Sequence, residues 1–100
     1  MTDDATFNII ENGPADRFEL HRDGEVVSVA TYTERHGTVI IPHVTTRPEH
    51  RGQGFAARLM DGLLSQLRSS GRSVAPVCPF AVDHIAQNPQ HQDLLANIHR

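Results

Sequence analysis

The spacing of apolar residues changes near the middle of the chain. Before residue 47, apolar and polar side chains alternate in short runs separated by turn-forming residues, which is typical of β-strands. After residue 52, apolar residues recur at i, i+3, i+4 and i+7, which is typical of an amphipathic helix lying on a sheet. A chain of 100 residues has room for one small domain, so we expect a single domain over residues 1–100, of the α+β class.

Four strands are predicted in the first part of the chain. They are Thr6 to Glu11, Arg17 to Arg22, Glu25 to Glu34 and Thr38 to Thr46. Asp23-Gly24 predicts a two-residue hairpin turn, because both central positions of that turn require positive φ. Consecutive strands joined by tight turns predict a mostly antiparallel meander.

The second part predicts further helices and a fifth strand. The main helix is expected from Gln53 to Ser70, with Gly71 as its left-handed cap. In the strand predicted at Ser73 to Cys78, Pro76 cannot donate to a ladder, which favours a sheet edge or a splayed position. Shorter helices are predicted at Phe80 to Gln87 and at Gln90 to Ile98. The predicted order is β-β-β-β-α-β-α, with helices covering the sheet.

Charge and composition exclude several classes of function. All nine basic residues are arginine and the net charge is −3, whereas a nucleic-acid-binding protein needs a basic face. No apolar run approaches the roughly 18 residues of a membrane span, so neither nucleic acid nor membrane is expected as a partner. The first residues lack the basic and apolar regions of a signal peptide, and a single cysteine is typical of a reducing compartment. We therefore expect a cytoplasmic protein.

The seven histidines show no metal-binding pattern. No pair has the i, i+4 spacing of a helical zinc site with a carboxylate between them. We therefore expect no metal, with a His-based site as the less favoured alternative. Four histidines are interpreted as surface residues: His36, His50, His84 and His99.

The segment Arg51-Gly52-Gln53-Gly54-Phe55-Ala56 lies between the fourth strand and the main helix. Its glycines let the backbone approach a ligand, and the free N–H groups of a first helical turn point outward there. Together with the positive end of the helix dipole, they predict a site for phosphate or pyrophosphate. Arg47, Arg51 and Arg58 add positive charge beside it. The alternative is a Gly-rich turn with ordinary capping.

Three segments resemble the GNAT N-acetyltransferase superfamily, and in particular its short single-domain members. Arg51 to Ala56 matches the signature Arg/Gln-x-x-Gly-x-Gly/Ala, after a strand that ends in His43-Val44-Thr45-Thr46. Pro76-Val77-Cys78-Pro79-Phe80 follows the main helix as in that family. Asn88-Pro89-Gln90-His91-Gln92-Asp93-Leu94 resembles its closing His-Pro-Glu-Tyr-x-Asp-Leu pattern, with Asn, Gln and His in place of the first, third and fourth residues. The resemblance covers about residues 18 to 95.

The resemblance implies a GNAT-like fold that binds acetyl-CoA as its cofactor. The pyrophosphate would contact the backbone of the Gly-rich loop, and the pantetheine arm would lie between a splayed fourth and fifth strand. The cofactor-binding residues that it implies are Val44, Thr45, Thr46, Arg51, Gly52, Gln53, Gly54, Phe55 and Ala56.

Two residues are candidates for catalysis. Cys78 directly precedes Pro79, a favoured first helical residue, and a helix N-terminus favours the thiolate form. The resemblance implies a catalytic cysteine at this position, whereas the alternative is an inert buried thiol. His43 shares a strand face with Thr45 and is the candidate base, with a structural histidine as the alternative. Direct acetyl transfer and an acetyl-Cys78 intermediate both stay open.

The expected function is that of an enzyme, an N-acetyltransferase that moves acetyl from acetyl-CoA to an amine of a small molecule or a protein. One alternative is a non-catalytic module that binds or senses acyl-CoA. Another is a structural interaction domain whose Gly-rich turn holds no ligand.

Overall fold

The computed structural model describes residues 5–96 and shows a five-stranded sheet with α-helices packed on it. The strands are β1 (Phe7–Asn12), β2 (Arg17–Arg22), β3 (Glu25–Arg35), β4 (Thr38–Thr46) and β5 (Ser73–Pro76). The helices are α1 (Phe55–Ser69) and α2 (Pro79–Gln87), with short 3₁₀ turns at Gly13–Ala15, Pro48–His50 and Pro89–Leu94. The α+β class and the order of strands and α-helices are as predicted.

The strands lie in the sheet in the order in which they occur in the chain. The first four form an antiparallel meander, and β5 pairs parallel to β4, with α1 as the crossover between them. Asp23 and Gly24 have φ values of 51° and 86°, and His36 and Gly37 have values of 52° and 80°. Positive φ at both central residues is the geometry of a tight hairpin turn, so the predicted turn at Asp23-Gly24 is confirmed.

Two irregularities interrupt the ladders. Between β2 and β3 the register shifts so that Val27 is an extra residue, and both Val27 and Ser28 are buried. Between β3 and β4, Ile41 and Pro42 stand opposite the single residue Tyr32. A bulge of this kind bends its strand and increases the local twist. The second bulge lies where β4 separates from β5, and this separation leaves one edge of β4 open.

The α-helices lie on one face of the sheet. Ala81 and Ile85 of α2 are buried, and His84 of α2 contacts Asp61 of α1. The opposite face carries Val29, Thr31 and His43, and no described helix covers it. The fully buried core residues of α1 and the strands are Phe18, Leu20, Val27, Ala30, Val39, Ile41, Leu59, Met60, Leu63, Leu64, Leu67 and Val74.

Both ends of α1 are determined by glycine. The helix begins at Phe55 and not at Gln53, because Gly54 has a φ of 76°, which a helical residue cannot have. At the other end, the N–H of Arg72 donates to the carbonyl oxygen of Leu67 at 2.9 Å. Gly71, with a φ of 72°, precedes Arg72 and is the predicted left-handed cap.

The last predicted helix is wrong. Pro89–Leu94 is a 3₁₀ turn, after which Leu95 forms a bridge to Val74 of β5. The N–H of Ala96 donates to the carbonyl oxygen of Val74 at 2.8 Å. In this segment, backbone pairing with the outer edge of β5 thus prevails over the helical preference of the sequence. The end of the predicted helix and His99 lie outside the described residues.

None of the helices within residues 5–96 has the length and apolar character needed to cross a bilayer.

Candidate functional site

The loop between β4 and α1 has a backbone that requires glycine at two positions. Gly52 and Gly54 have φ values of 82° and 76°, a region that other residues rarely adopt. No atom of the described residues outside the immediate chain neighbours lies within 4 Å of a Cβ built on either glycine. The space beside this loop is therefore open to a ligand.

The N-terminus of α1 opens onto the same loop. Its N-cap residue, Gly54, has no side chain that could accept a hydrogen bond from the first turn. The N–H groups of a first turn have no partner within the helix, and the dipole of a 15-residue helix adds positive potential there. Gln53 and Gly54 are exposed, whereas the side chain of Phe55 is buried. Such a backbone-lined site fits a phosphate or a pyrophosphate.

Carboxylates offset part of the charge that the sequence predicts around the loop. Arg47 Nε lies 3.2 Å from a carboxylate oxygen of Glu49, and Arg47 Nη1 lies 3.5 Å from one of Glu25. Glu25 begins β3 and reaches the loop only through the pairing of the strands. The positive charge predicted at Arg47 is therefore present but partly offset by these two carboxylates.

The other two arginines near the loop differ from each other. The guanidinium of Arg58 lies 3.9 Å from the ring centre of Phe7, a cation–π contact. Arg51 Nε donates to the carbonyl oxygen of Thr46 at 3.3 Å, and the described residues offer it no carboxylate partner. Arg51 is thus the arginine of this loop with charge available to an anion.

His50, predicted as a surface residue, is largely buried beside the loop. Its side chain is only 15% exposed, and its ring lies 5.9 Å from that of Phe55. Nε2 is buried without a hydrogen bond from any described residue, 3.6 Å from a carboxylate oxygen of Glu25. The surface interpretation of His50 is wrong, since the spacing of histidines along the chain carries no information about Glu25 or Phe55.

β4 and β5 stop pairing at the bulge. Their ladder runs from Thr38–Ser73 to Ile41–Pro76, whereas β4 continues to Thr46. The N–H groups of Val77 and Cys78 both donate to the carbonyl oxygen of Ile41, at 2.9 and 3.0 Å. Beyond this point β4 pairs with β3 on one side only, among the described residues. The predicted splay of the fourth and fifth strands is confirmed, and it leaves the edge of Val44 to Thr46 open.

Cys78 is the N-cap residue of α2, directly before Pro79. Its carbonyl oxygen accepts a hydrogen bond of 3.0 Å from the N–H of Val82. The thiol is partly buried and packs against the hydrophobic core. The structure therefore places this thiol at a helix N-terminus, on the side of the sheet that carries the helices.

His43 lies on the other face of the sheet. It is exposed and stands opposite Thr31, whereas the next residue, Val44, stands opposite the buried Ala30 and packs on the core. The predicted alternation along β4 is therefore present. It separates His43 from Cys78, so the structure does not bring the two candidate catalytic side chains together.

Most of the chain matches the model of one protein family. Residues 17–94 match the family model of the GCN5-related N-acetyl-transferases. The chain belongs to this family. It is the same family that the Gly-rich loop and the closing segment resemble, and its members are acetyltransferases.

Solved structures of N-acetyltransferases share the fold. A GCN5-like protein of Staphylococcus aureus superposes with a TM-score of 0.68 at 18% identity, over 93% of this chain and 91% of that one. The ribosomal-protein-S18-alanine N-acetyltransferase of Escherichia coli gives a TM-score of 0.59 at 16% identity, over 71% of this chain and 49% of that one. The N-acetylglutamate synthase of Neisseria gonorrhoeae, solved with coenzyme A and N-acetyl-glutamate, gives 0.57 at 16% identity, over 83% and 23%.

This N-acetyltransferase-family chain therefore spans nearly the whole of the first structure but about half and a quarter of the other two. A comparison with curated protein sequences gave no match.

Proposed function

We propose that this chain binds acetyl-CoA and transfers its acetyl group to an amine. The observation that carries the proposal is the placement of two open backbone surfaces beside each other. One is the glycine loop at the N-terminus of α1, and the other is the unpaired edge of β4. The hydrogen bond from Arg51 Nε to the carbonyl oxygen of Thr46 links the loop to the end of that strand.

The two surfaces match the two chemical parts of CoA. The pyrophosphate is an anion, and the N–H groups of Gln53, Gly54, Phe55 and Ala56 would bind it, with Gly52 allowing close approach. The pantetheine arm carries amide groups, which the open edge of Val44, Thr45 and Thr46 can pair as a neighbouring strand would. Arg51 supplies the available positive charge.

The proposed reaction is direct transfer. The amine nitrogen attacks the thioester carbonyl carbon, so that a C–N bond forms, the C–S bond breaks and CoA leaves as a thiolate. The proton of the amine passes to a base, for which His43 or a water is the candidate. An acetyl-Cys78 intermediate would form by attack of the Cys78 thiolate on the thioester, and His43, on the other face of the sheet, is not placed to take the proton of that thiol. That separation favours direct transfer.

A module that binds acyl-CoA without turnover is the second candidate. It is favoured by the environment of His43, which is exposed and whose ring is hydrogen-bonded to none of the described residues. A catalytic base is normally held in position by a second group. This candidate shares the binding surfaces of the first and differs in catalysis only.

The two candidates are distinguished by calorimetry followed by a transfer assay. Acetyl-CoA should bind in one-to-one stoichiometry, and CoA release should depend on an added amine such as a polyamine, an amino acid or a peptide N-terminus. The chain has no lysine, so acetylation of its own side-chain amines cannot mimic transfer. His43→Gln should slow transfer at least ten-fold without changing binding. Binding without transfer to any amine would support the second candidate, and absence of binding would refute both.

A further inference from the structure

Three side chains from three separate elements meet beside α1. Asp61 comes from α1, His84 from α2 and His91 from the 3₁₀ turn at Pro89–Leu94. Nε2 of His84 lies 2.8 Å from Oδ1 of Asp61, and Nε2 of His91 lies 2.9 Å from the same oxygen. We propose that these residues form a binding site for a zinc-class divalent metal ion.

The donor atoms are of the right kind and lie close together. Imidazole nitrogen and carboxylate oxygen are the ligands that Zn²⁺ takes besides thiolate, and three protein ligands leave a fourth position for water. The three donor atoms all lie within 4.8 Å of one another. Ligand atoms at about 2.0–2.1 Å from a tetrahedral metal stand about 3.3 Å apart. The ion would therefore be accommodated if each nitrogen moved about half an ångström away from Oδ1 and the two nitrogens took the same spacing from each other.

The surroundings hold the imidazoles in place and leave the carboxylate accessible. The side chains of His84 and His91 are 10% and 11% exposed, whereas that of Asp61 is 56% exposed. The two imidazole rings stack with centres 5.9 Å apart, and Phe80 stacks on His84 at the same spacing. A metal ion can therefore approach from the carboxylate side onto two nitrogens whose orientation is fixed by packing.

The segment that carries His91 is anchored independently of the cluster. Arg68 of α1 forms two hydrogen bonds with the carboxylate of Asp93, at 2.5 and 3.0 Å, and donates to the carbonyl oxygen of Gln90 at 2.8 Å. Asn88 Nδ2 donates to the carbonyl oxygen of His84 at 2.6 Å. The ligands thus need little ordering when the metal binds, which favours affinity.

A metal ion at this position would join the C-terminal elements to α1. Asp61 lies 23 residues before His84 and 30 before His91, so the unfolded chain does not hold the three ligands together, and the ion would bind the folded state preferentially. This role is separate from the proposed acetyl transfer. The three ligands come from different elements, so the i, i+4 spacing rule, which detects only ligands from one helix, does not find them.

The test is a titration of the metal-free full chain with Zn²⁺ by calorimetry and with Co²⁺ by visible absorption. We expect one ion per chain, a Co²⁺ spectrum of a low-coordinate site, and a rise in the thermal midpoint with Zn²⁺. Asp61→Asn and His84→Gln should each weaken binding at least ten-fold and abolish that rise. Circular dichroism of each variant without metal checks its fold, and Asp61→Asn keeps the size of the side chain.

Matched controls separate this site from other donors in the chain. His50→Gln removes a ligand from the second group of close donor atoms, Glu25, Glu49 and His50, and Cys78→Ser removes the thiol. Both variants should bind Zn²⁺ as the parent does. Unchanged affinity in Asp61→Asn and His84→Gln would overturn the proposal, as would loss of binding in either control.

Discussion

The backbone N–H of Cys78 donates to the carbonyl oxygen of Ile41 at 3.0 Å, beside the N–H of Val77 at 2.9 Å. This shared acceptor closes the β4–β5 ladder, and the following residues of β4 continue with one edge open. The same hydrogen bond places the Cys78 thiol at the start of α2. The carbonyl group of Ile41 therefore lies at the point where the two strands separate and where the residue that carries the thiol begins α2.

The first prediction concerns the role of Cys78. Because the residue that carries the thiol is only partly buried, iodoacetamide should label it in the folded protein at neutral pH, and bound acetyl-CoA should slow the labelling. Direct transfer predicts that Cys78→Ala keeps most of the transfer rate. Loss of transfer in Cys78→Ala with unchanged acetyl-CoA affinity, together with an acetylated thiol in the mass spectrum of the parent, would instead establish a covalent intermediate.

The second prediction compares two arginines of the loop. Arg51 has no carboxylate partner among the described residues, whereas Arg47 lies between Glu25 and Glu49. A charge-assisted hydrogen bond contributes about 1.5–3 kcal/mol, so Arg51→Ala should weaken CoA binding about ten-fold or more. Arg47→Ala should have a smaller effect. Calorimetry with CoA and dephospho-CoA measures both, and a loss confined to CoA would place Arg51 on the 3′-phosphate.

Equal affinity of Arg51→Ala and the parent for both ligands would show that this guanidinium does not reach the bound nucleotide.

The regular elements follow from local chemistry, which is why the sequence predicts them well. The bounds of β2 and β4 agree with the prediction, because alternation and turn residues mark both ends. The first residue of α1 could not be predicted as well from the sequence. The apolar period continues through Gln53, and only the left-handed backbone of Gly54 delays the helix to Phe55.

Side-chain groups that depend on tertiary contacts could not be predicted in this way. The register of β3 and β4 brings Glu25 close to Arg47, and the sequence alone therefore overestimates the positive charge of the loop. The bonds from His84 and His91 to Asp61 depend on the packing of α2 and the following turn against α1. The surface interpretation of His84 was wrong for that reason. Spacing along the chain shows none of these contacts.

The third prediction concerns stability at acid pH. Glu19 is buried on the sheet face away from the helices, where hydrogen bonds from Asn12, His21 and Arg17 hold its pKa at about 2. A carboxyl group whose pKa is lower in the folded than in the unfolded state stabilises the fold above its unfolded value, here 4.5. That stabilisation is lost as the pH falls from about 4.5 to about 2.

Urea unfolding at pH 7 and near pH 2.5 measures this contribution. The free energy of unfolding of the parent should be lower near pH 2.5 than at pH 7, and Glu19 should account for about 2 kcal/mol of the difference. Glu19→Gln should be less stable than the parent at pH 7 and should lose less on acidification. Its remaining pH dependence would come from other carboxyl groups with lowered pKa values, such as Glu11 beside Arg72. An identical pH dependence in Glu19→Gln and the parent would show that this carboxylate is not the sensitive group.

The most direct test of acetyl-CoA binding at the glycine loop is calorimetry on Gly54→Val, with Gly37→Val as its control. Both glycines have φ values near 80°, at 76° and 80°, and both have open space where a Cβ would lie, so the backbone strain of the two substitutions is matched. Gly37 lies in the β3–β4 turn, whereas Gly54 caps α1 beside the proposed pyrophosphate position. We predict that Gly54→Val remains folded but loses acetyl-CoA binding, while Gly37→Val binds as the parent does. Parent-like affinity in a folded Gly54→Val would contradict the proposed site.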